Sequence, residues 1–203
     1  MHNTLFPLNV QNILPDLGEA FYYGRVLTAD QAYAYFEHLK NHIYWENERL
    51  KIAGKTIHMS RKVAWYGDKA YHYTYSGETK IAKLWTKALL ELKTIAESCC
   101  KTRYNSCLLN YYPDGTCGMG WHSDNENSIL AYSSIASISL GAERTFSFKQ
   151  KSGSKKLSLQ LENGSLFEMK GLTQEYWLHS LPKSKKVSVP RINLTFRSMK
   201  TQI

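Results

Sequence analysis

From about residue 104 onward the chain is written in period two. The runs LLNYY (108–112), IASISLG (135–141), RTFSFK (144–149), KLSLQL (156–161), SLFEM (165–169) and RINLTFR (191–197) are separated by Gly, Asn, Ser and Pro. Successive side chains on a strand point to opposite faces, so each run reads as a short strand bounded by turns. Many short strands at this spacing predict an all-β unit, a sandwich, barrel or jelly roll, over about 104–200.

The first half follows a different period. Residues 28–44 open with Thr28 three positions before Gln31, a capping-box spacing, and carry Ala32, Phe36, Leu39 and Ile43 at helical intervals. Residues 79–101 put Ile81, Leu84, Trp85, Ala88, Leu92, Ile95 and Cys99 on one stripe, with Lys83, Lys87 and Lys93 elsewhere, which predicts a second helix. Between them, 48–78 holds clustered charges, Gly54, Gly67, Gly77 and alternating aromatics, and is expected to form short strands and loops. The expected class is α+β: a single domain over 1–203, a jelly-roll core and two main helices packed outside it.

Composition narrows what such a domain does. At 203 residues the chain can bury roughly 70% of its unfolded surface, and 13% aromatic residues exclude wholesale disorder. The 26 Lys+Arg against 17 Asp+Glu leave +9, an excess that attracts polyanions. The charge is uneven. Residues 104–143 contain no Lys or Arg but hold Asp114, Asp124, Glu126 and Glu143, a local −4 that leaves +13 for the rest. Positive charge collects at Arg49, Lys51, Lys55, Arg61 and Lys62, across Arg144–Lys156, and at Lys183–Lys186, read here as surface clusters that govern nucleic-acid affinity. Cys99, Cys100, Cys107 and Cys117 form no CxxC pair, and MHNTLFPLNV lacks the pattern of a secretory signal. Reduced cysteines and an intracellular protein are expected, cytoplasmic if bacterial and nuclear if eukaryotic. No run approaches the roughly eighteen apolar residues of a membrane span, so a soluble or peripheral protein is expected, with nucleic acid rather than membrane as its partner.

Chemistry concentrates in GMGWHSDNE. His122 and Asp124 stand at i and i+2, a spacing that aims two ligands to one side of an extended segment. His179, in EYWLHSLP, follows 57 residues later and is the sole histidine beyond His122. Two His and one carboxylate form the facial triad of non-haem Fe(II) oxygenases, although the same set also suits zinc. The last strand weighs against zinc hydrolysis. In RINLTFR, Ile192, Leu194 and Phe196 alternate with Arg191, Asn193, Thr195 and Arg197. If the polar face looks inward, the arginines need anionic partners, because an unpaired buried charge costs several kcal/mol. A metal-chelating dicarboxylate meets that need; an exposed edge strand is the alternative.

Taken in order, RK, YGD (66–68), YTYSG (73–77), LLNYYPDG (108–115), WHSDNE (121–126), IASISLGAERTFSFK (135–149), HSLP (179–182) and PRINLTFR resemble the AlkB family of Fe(II)- and 2-oxoglutarate-dependent dioxygenases, nearest its nucleic-acid-repairing members. The resemblance covers Arg61 to Arg197 and leaves the first 45 residues weakly matched. It implies a double-stranded β-helix core, Fe(II) held by His122, Asp124 and His179, and 2-oxoglutarate bound by Arg191 and Arg197 with Asn193, Thr195, Asn110 and Tyr112. It also implies use of O2, conversion of the keto acid to succinate and CO2, and loss of a hydroxylated N-methyl group as formaldehyde. The expected substrates are 1-methyladenine and 3-methylcytosine in DNA, with RNA as an extension, and the expected working species is a monomer.

The resemblance places a nucleotide-recognition lid in 48–78, with substrate contacts at Ala53, Gly54, Lys55, Arg61, Tyr73, Thr74 and Tyr75, and a flipped base near His122. Two positions depart from the family pattern. Ala53 stands where duplex-repairing members carry an apolar aromatic wedge, and Asn125 where relatives have an acidic residue. The first favours single strands or RNA, since alanine cannot replace lost stacking. Two other readings stay open: a 2-oxoglutarate oxygenase acting on protein or a small molecule, and a non-catalytic nucleic-acid-binding domain.

Overall fold

The computed structural model describes residues 10–52, 55–75 and 78–200. In chain order the elements are β1 (Glu19–Arg25), α1 (Ala29–His42), β2 (Glu46–Ile52), β3 (Lys55–Gly67), β4 (His72–Tyr75), β5 (Glu78–Ile81), β6 (Lys83–Leu84), α2 (Lys87–Cys100), β7 (Ser106–Tyr112), β8 (Met119–His122), β9 (Ile135–Gly141), β10 (Arg144–Gln150), β11 (Lys156–Leu161), β12 (Ser165–Lys170), α3 (Thr173–Tyr176), β13 (Trp177–Leu181) and β14 (Arg191–Arg197). All six period-two runs are strands: β7, β9, β10, β11, β12 and β14.

They are distributed over two sheets. The larger runs β1-β12-β9-β14-β7-β3-β2, with β6 paired to β3; the smaller runs β11-β10-β13-β8. Apart from the parallel β3–β6 contact, the strand pairings among the described residues are antiparallel. Alternation then decides the layers. On β14, Ile192, Leu194 and Phe196 join Ala136, Ile138 and Leu140 of β9 and Cys107 and Leu109 of β7 in a core shared with α1 and α2. The opposite face of the large sheet packs Ile135, Phe167 and Met169 against Phe148, Leu161 and Trp177 of the smaller one. Two sheets face to face with both main helices outside the larger make a jelly-roll core, as the alternation predicts.

The helix ends differ in how well they follow the sequence. Thr28 accepts from the Gln31 N–H at 3.2 Å while the Gln31 side chain accepts from the Thr28 N–H at 3.0 Å, so the expected capping box forms and α1 starts at Ala29. The second helix is shorter than predicted. α2 begins at Lys87, capped by Thr86, whereas 78–81 and 83–84 are strands. Ile81 and Leu84, assigned to its apolar stripe, are exposed at 55% and 68%. Pairing of Lys83 and Leu84 with Tyr66 and Gly67 overrides a helical spacing that the β-branched Thr79 and Ile81 only weakly support. The 48–78 region also departs from short strands, because β3 runs for 13 residues across the sheet from Lys55 to Gly67. Among the described residues, no helix is long and apolar enough to cross a membrane.

Candidate active site

β8 and β13 are neighbours in the smaller sheet, and their register pairs His122 with His179. The two rings lie 4.2 Å apart, edge to face. Asp124 follows β8 on a segment without ladder bonds, and one of its oxygens, Oδ1, lies 3.7 Å from His122 Nε2 and 3.9 Å from His179 Nε2. One ligand atom from each residue falls within 4.8 Å of the others. His122 Nδ1 sits 2.8 Å from the Gly120 carbonyl, which fixes the tautomer with the proton on Nδ1 and leaves Nε2 free to ligate.

Electrostatics prepare the triad for a cation. Burial pushes the Asp124 carboxyl up, but the charge and hydrogen bond of Arg197 lead the opposing effects and hold the group ionised, down at about 2. Burial drives His179 down to about 3, so its imidazole is neutral, the form that binds metal. Arg197 Nη2 donates to Asp124 Oδ2 at 2.6 Å, which turns Oδ1 toward the histidines.

The adjoining wall comes from the polar face of β14. Arg191, Asn193 and Thr195 are buried, as are Asn110 and Tyr112 on neighbouring β7. The register sets Arg191 opposite Tyr112 and Asn193 opposite Asn110. Asn193 Oδ1 accepts from Arg191 Nη2 at 2.7 Å and from Ser137 Oγ at 2.8 Å, and Arg191 Nη2 also reaches Ser139 Oγ at 2.8 Å. Nothing anionic faces Arg191: among the described residues it has no carboxylate within ion-pair distance, and its buried Nε has no hydrogen-bond partner. Burial therefore lowers its pKa to about 10.

A profile described as the 2OG-Fe(II) oxygenase superfamily matches residues 19–197. The chain is 39% identical over 159 residues to the DNA oxidative demethylase ALKBH2 of Bos taurus, covering 74% of this chain and 57% of that one. It is 32% identical over 213 residues to the protein of the same name from Arabidopsis thaliana (90% and 68%). It is 34% identical over 173 residues to the alpha-ketoglutarate-dependent dioxygenase alkB homolog 3 of Mus musculus (80% and 60%). The chain belongs to the AlkB family of 2OG-Fe(II) oxygenases. It spans about three-fifths of the bovine and murine relatives. The solved structure of OsALKBH1 superimposes with a TM-score of 0.63 over 94% of this chain and all of that one at 15% identity, a likeness of fold.

Membership in this AlkB family implies Fe(II), 2-oxoglutarate and O2, and the residues fit them. Two imidazole nitrogens and one carboxylate oxygen are the donor set of a facial Fe(II) site. The uncompensated Arg191 cation, ringed by Asn193, Asn110 and Tyr112, suits the distal carboxylate of a five-carbon keto acid.

The lid residues fare unevenly. Ala53 and Gly54 lie outside the described residues; Lys55 opens β3, paired with Ile52, and Tyr73, Thr74 and Tyr75 form β4 in a separate ribbon with β5. Asn125 is exposed beside Asp124. Arg61 and Arg144, expected in surface clusters, are instead buried, only 4% and 1% exposed. Arg61 Nη1 meets Met119 Sδ at 3.2 Å, and both guanidiniums lie 5.9 Å from the Tyr112 ring centre. Arg144 has a structural task that its spacing did not reveal. It donates to the carbonyls of Asp114, Cys117 and Pro182, tying the loop after β7 to the lysine strap at 183–186. Gly115 lets the two segments approach, since a Cβ there would collide with the Ser184 carbonyl. Ser137 and Ser139, also missed, were legible as the polar half of IASISLG.

Proposed function

We propose that this chain removes N-methyl groups oxidatively from alkylated bases, 1-methyladenine and 3-methylcytosine, in DNA and also in RNA. The observation that carries the reading is the His122–Asp124–His179 set, with Asp124 and His179 buried and His122 half-buried, beside a buried Arg191 that has no carboxylate partner among the described residues. Bound Fe(II) would couple the two-electron oxidation of 2-oxoglutarate to succinate and CO2 with activation of O2, the oxidant that hydroxylates the N-methyl carbon; the hydroxymethyl product would shed formaldehyde and restore the base.

The protein's own residues bind and orient. His122, Asp124 and His179 hold the metal, Arg191 and Arg197 take the two ends of the keto acid, Arg197 while also holding Asp124 Oδ2, and Asn110, Tyr112, Asn193 and Thr195 line its channel. The 48–78 segment acts as the lid, with Lys55, Arg61, Tyr73, Thr74 and Tyr75 beside the extruded base and Asn125 next to the metal carboxylate. The relatives named DNA oxidative demethylases support the nucleic-acid class. So do the exposed Lys183, Lys185 and Lys186 strap and the Lys151, Lys155 and Lys156 hairpin. Ala53 favours single-stranded targets over duplex. All metal and cosubstrate residues come from one chain, which makes a monomer sufficient, and a nucleic-acid substrate calls for a cytoplasmic or nuclear location.

The test is formaldehyde release from methylated oligonucleotides with Fe(II) and 2-oxoglutarate. Wild type turns over and Asp124→Ala does not; turnover retained by Asp124→Ala would sink the ligand assignment. Succinate formation that ignores methylated oligonucleotides but rises with a peptide or metabolite would favour a different substrate class.

A further inference from the structure

Asp124 presents a mechanical problem. It sits beyond the last residue of β8, so no strand ladder holds its backbone. Its carboxylate must nevertheless aim one oxygen between two histidines. The Asp124 N–H donates to the side-chain Oε1 of Gln174 at 2.8 Å, the partner that the structure provides for that amide.

Gln174 is itself braced from several sides. It lies in α3, between two residues that are fully buried, Thr173 and Trp177. The Thr173 hydroxyl accepts from the Glu19 N–H at 2.8 Å and lies within 2.9 Å of the Glu19 and Lys170 carbonyls. Trp177 Nε1 donates to the Asp16 carbonyl at 3.0 Å. From the turn after β10, Lys151 Nζ donates to the Gln174 carbonyl and the Lys151 N–H donates to the Tyr176 carbonyl, each at 2.9 Å. The Gln174 amide nitrogen rests on Met169 Sδ at 3.5 Å, which orients Oε1 toward Asp124.

We infer that Gln174 is a positioning residue for metal binding: it anchors the Asp124 backbone while Arg197 anchors Oδ2, and together they present Oδ1 to the ion. The inference rests on the proposed metal triad. Groups that orient a ligand typically change metal affinity by about 10- to 100-fold when removed. Gln174 is thereby set apart from its neighbours Thr173 and Trp177, whose contacts hold the fold.

Mn(II), bound by the full chain without oxygen or keto acid, is the probe. Gln174→Leu, which keeps bulk but loses the acceptor, is expected to weaken Mn(II) binding at least about tenfold with little change in the melting temperature of the metal-free protein. Gln174→Glu, which keeps an acceptor oxygen at the same reach, is expected to stay near or above wild-type affinity. Gln174→Asn, one carbon too short to reach, is expected to behave like Leu and serves if the Leu variant does not fold. Amide exchange at Asp124 should speed up in Leu and Asn and stay slow in Glu. Unchanged Mn(II) affinity in a folded Leu or Asn variant overturns the inference, as does an equal loss in Glu. Wild type that fails to bind Mn(II), or Asp124→Ala that binds it as well as wild type, overturns the triad itself.

Discussion

A single buried charge underlies the role proposed for Arg191. A guanidinium only 2% exposed, with no carboxylate partner among the described residues, carries a standing desolvation cost that an incoming carboxylate relieves. Arg191→Met is therefore expected to raise the KM for 2-oxoglutarate by about 30-fold or more, the equivalent of losing a buried charge partner, while leaving oligonucleotide affinity unchanged; a KM within threefold of wild type would contradict it. The candidate metal ligands carry a pH signature. His179 in the folded metal-free protein titrates at about 3 against an ordinary 6.5, so the unfolded chain binds that proton more readily. Its contribution to stability is complete above about pH 6.5 and is lost as pH falls toward 3. Asp124, held at about 2 against an ordinary 3.8, acts with the same sign, losing its contribution between about 4 and 2. Thermal melts of metal-free protein should fall steadily below pH 6.5, and His179→Leu should flatten the upper part of that fall.

At the scale of elements, the second helix separates what periodicity can say from what pairing decides. Ile81 and Leu84 continue the stripe of α2 on a helical wheel, but extended backbone takes both into strands. The consequence is measurable. Leu84→Gln should shift unfolding free energy by no more than about 0.5 kcal/mol, the range of surface changes, whereas Leu92→Ala, fully buried on α2, should cost about 2–5 kcal/mol. Similar losses for both would restore the longer helix. β8 and β13 escaped notice for a related reason. MGWH and WLHSL do not alternate, because these short strands turn histidines inward to the site and are defined by cross-strand register rather than by pattern.

Across the whole molecule, positive charge is divided between interior and surface. Arg61, Arg144 and Arg191 surround Tyr112 inside the fold, while the lysines of the 183–186 strap and the 151–156 hairpin are exposed. Replacing Lys183, Lys185 and Lys186 together with Gln should weaken oligonucleotide binding and lower the slope of log affinity against log salt by about 2, given roughly 0.7 per single-strand phosphate contact. The KM for 2-oxoglutarate should not move. An unchanged salt slope would take the strap out of the nucleic-acid surface.

Local rules sufficed for six strands, the capped start of α1 and the division of RINLTFR into an apolar and a polar face, because each follows from a short-range period or cap; that the polar face is interior needed the packed sheets. The candidate set of His122, Asp124 and His179 was likewise legible from its residue types and spacing, and the fold brings one ligand atom of each within 4.8 Å of the others. Tertiary structure alone decided which cations are interior and how the ligands are held. Arg144 reads as one more basic residue until three distant carbonyls converge on it. Gln174 reads as an ordinary polar residue until a contact across 50 positions puts its oxygen on the Asp124 amide. Burial and hydrogen bonding depend on which segments meet, and that is a property of the packed sheets rather than of any window along the chain.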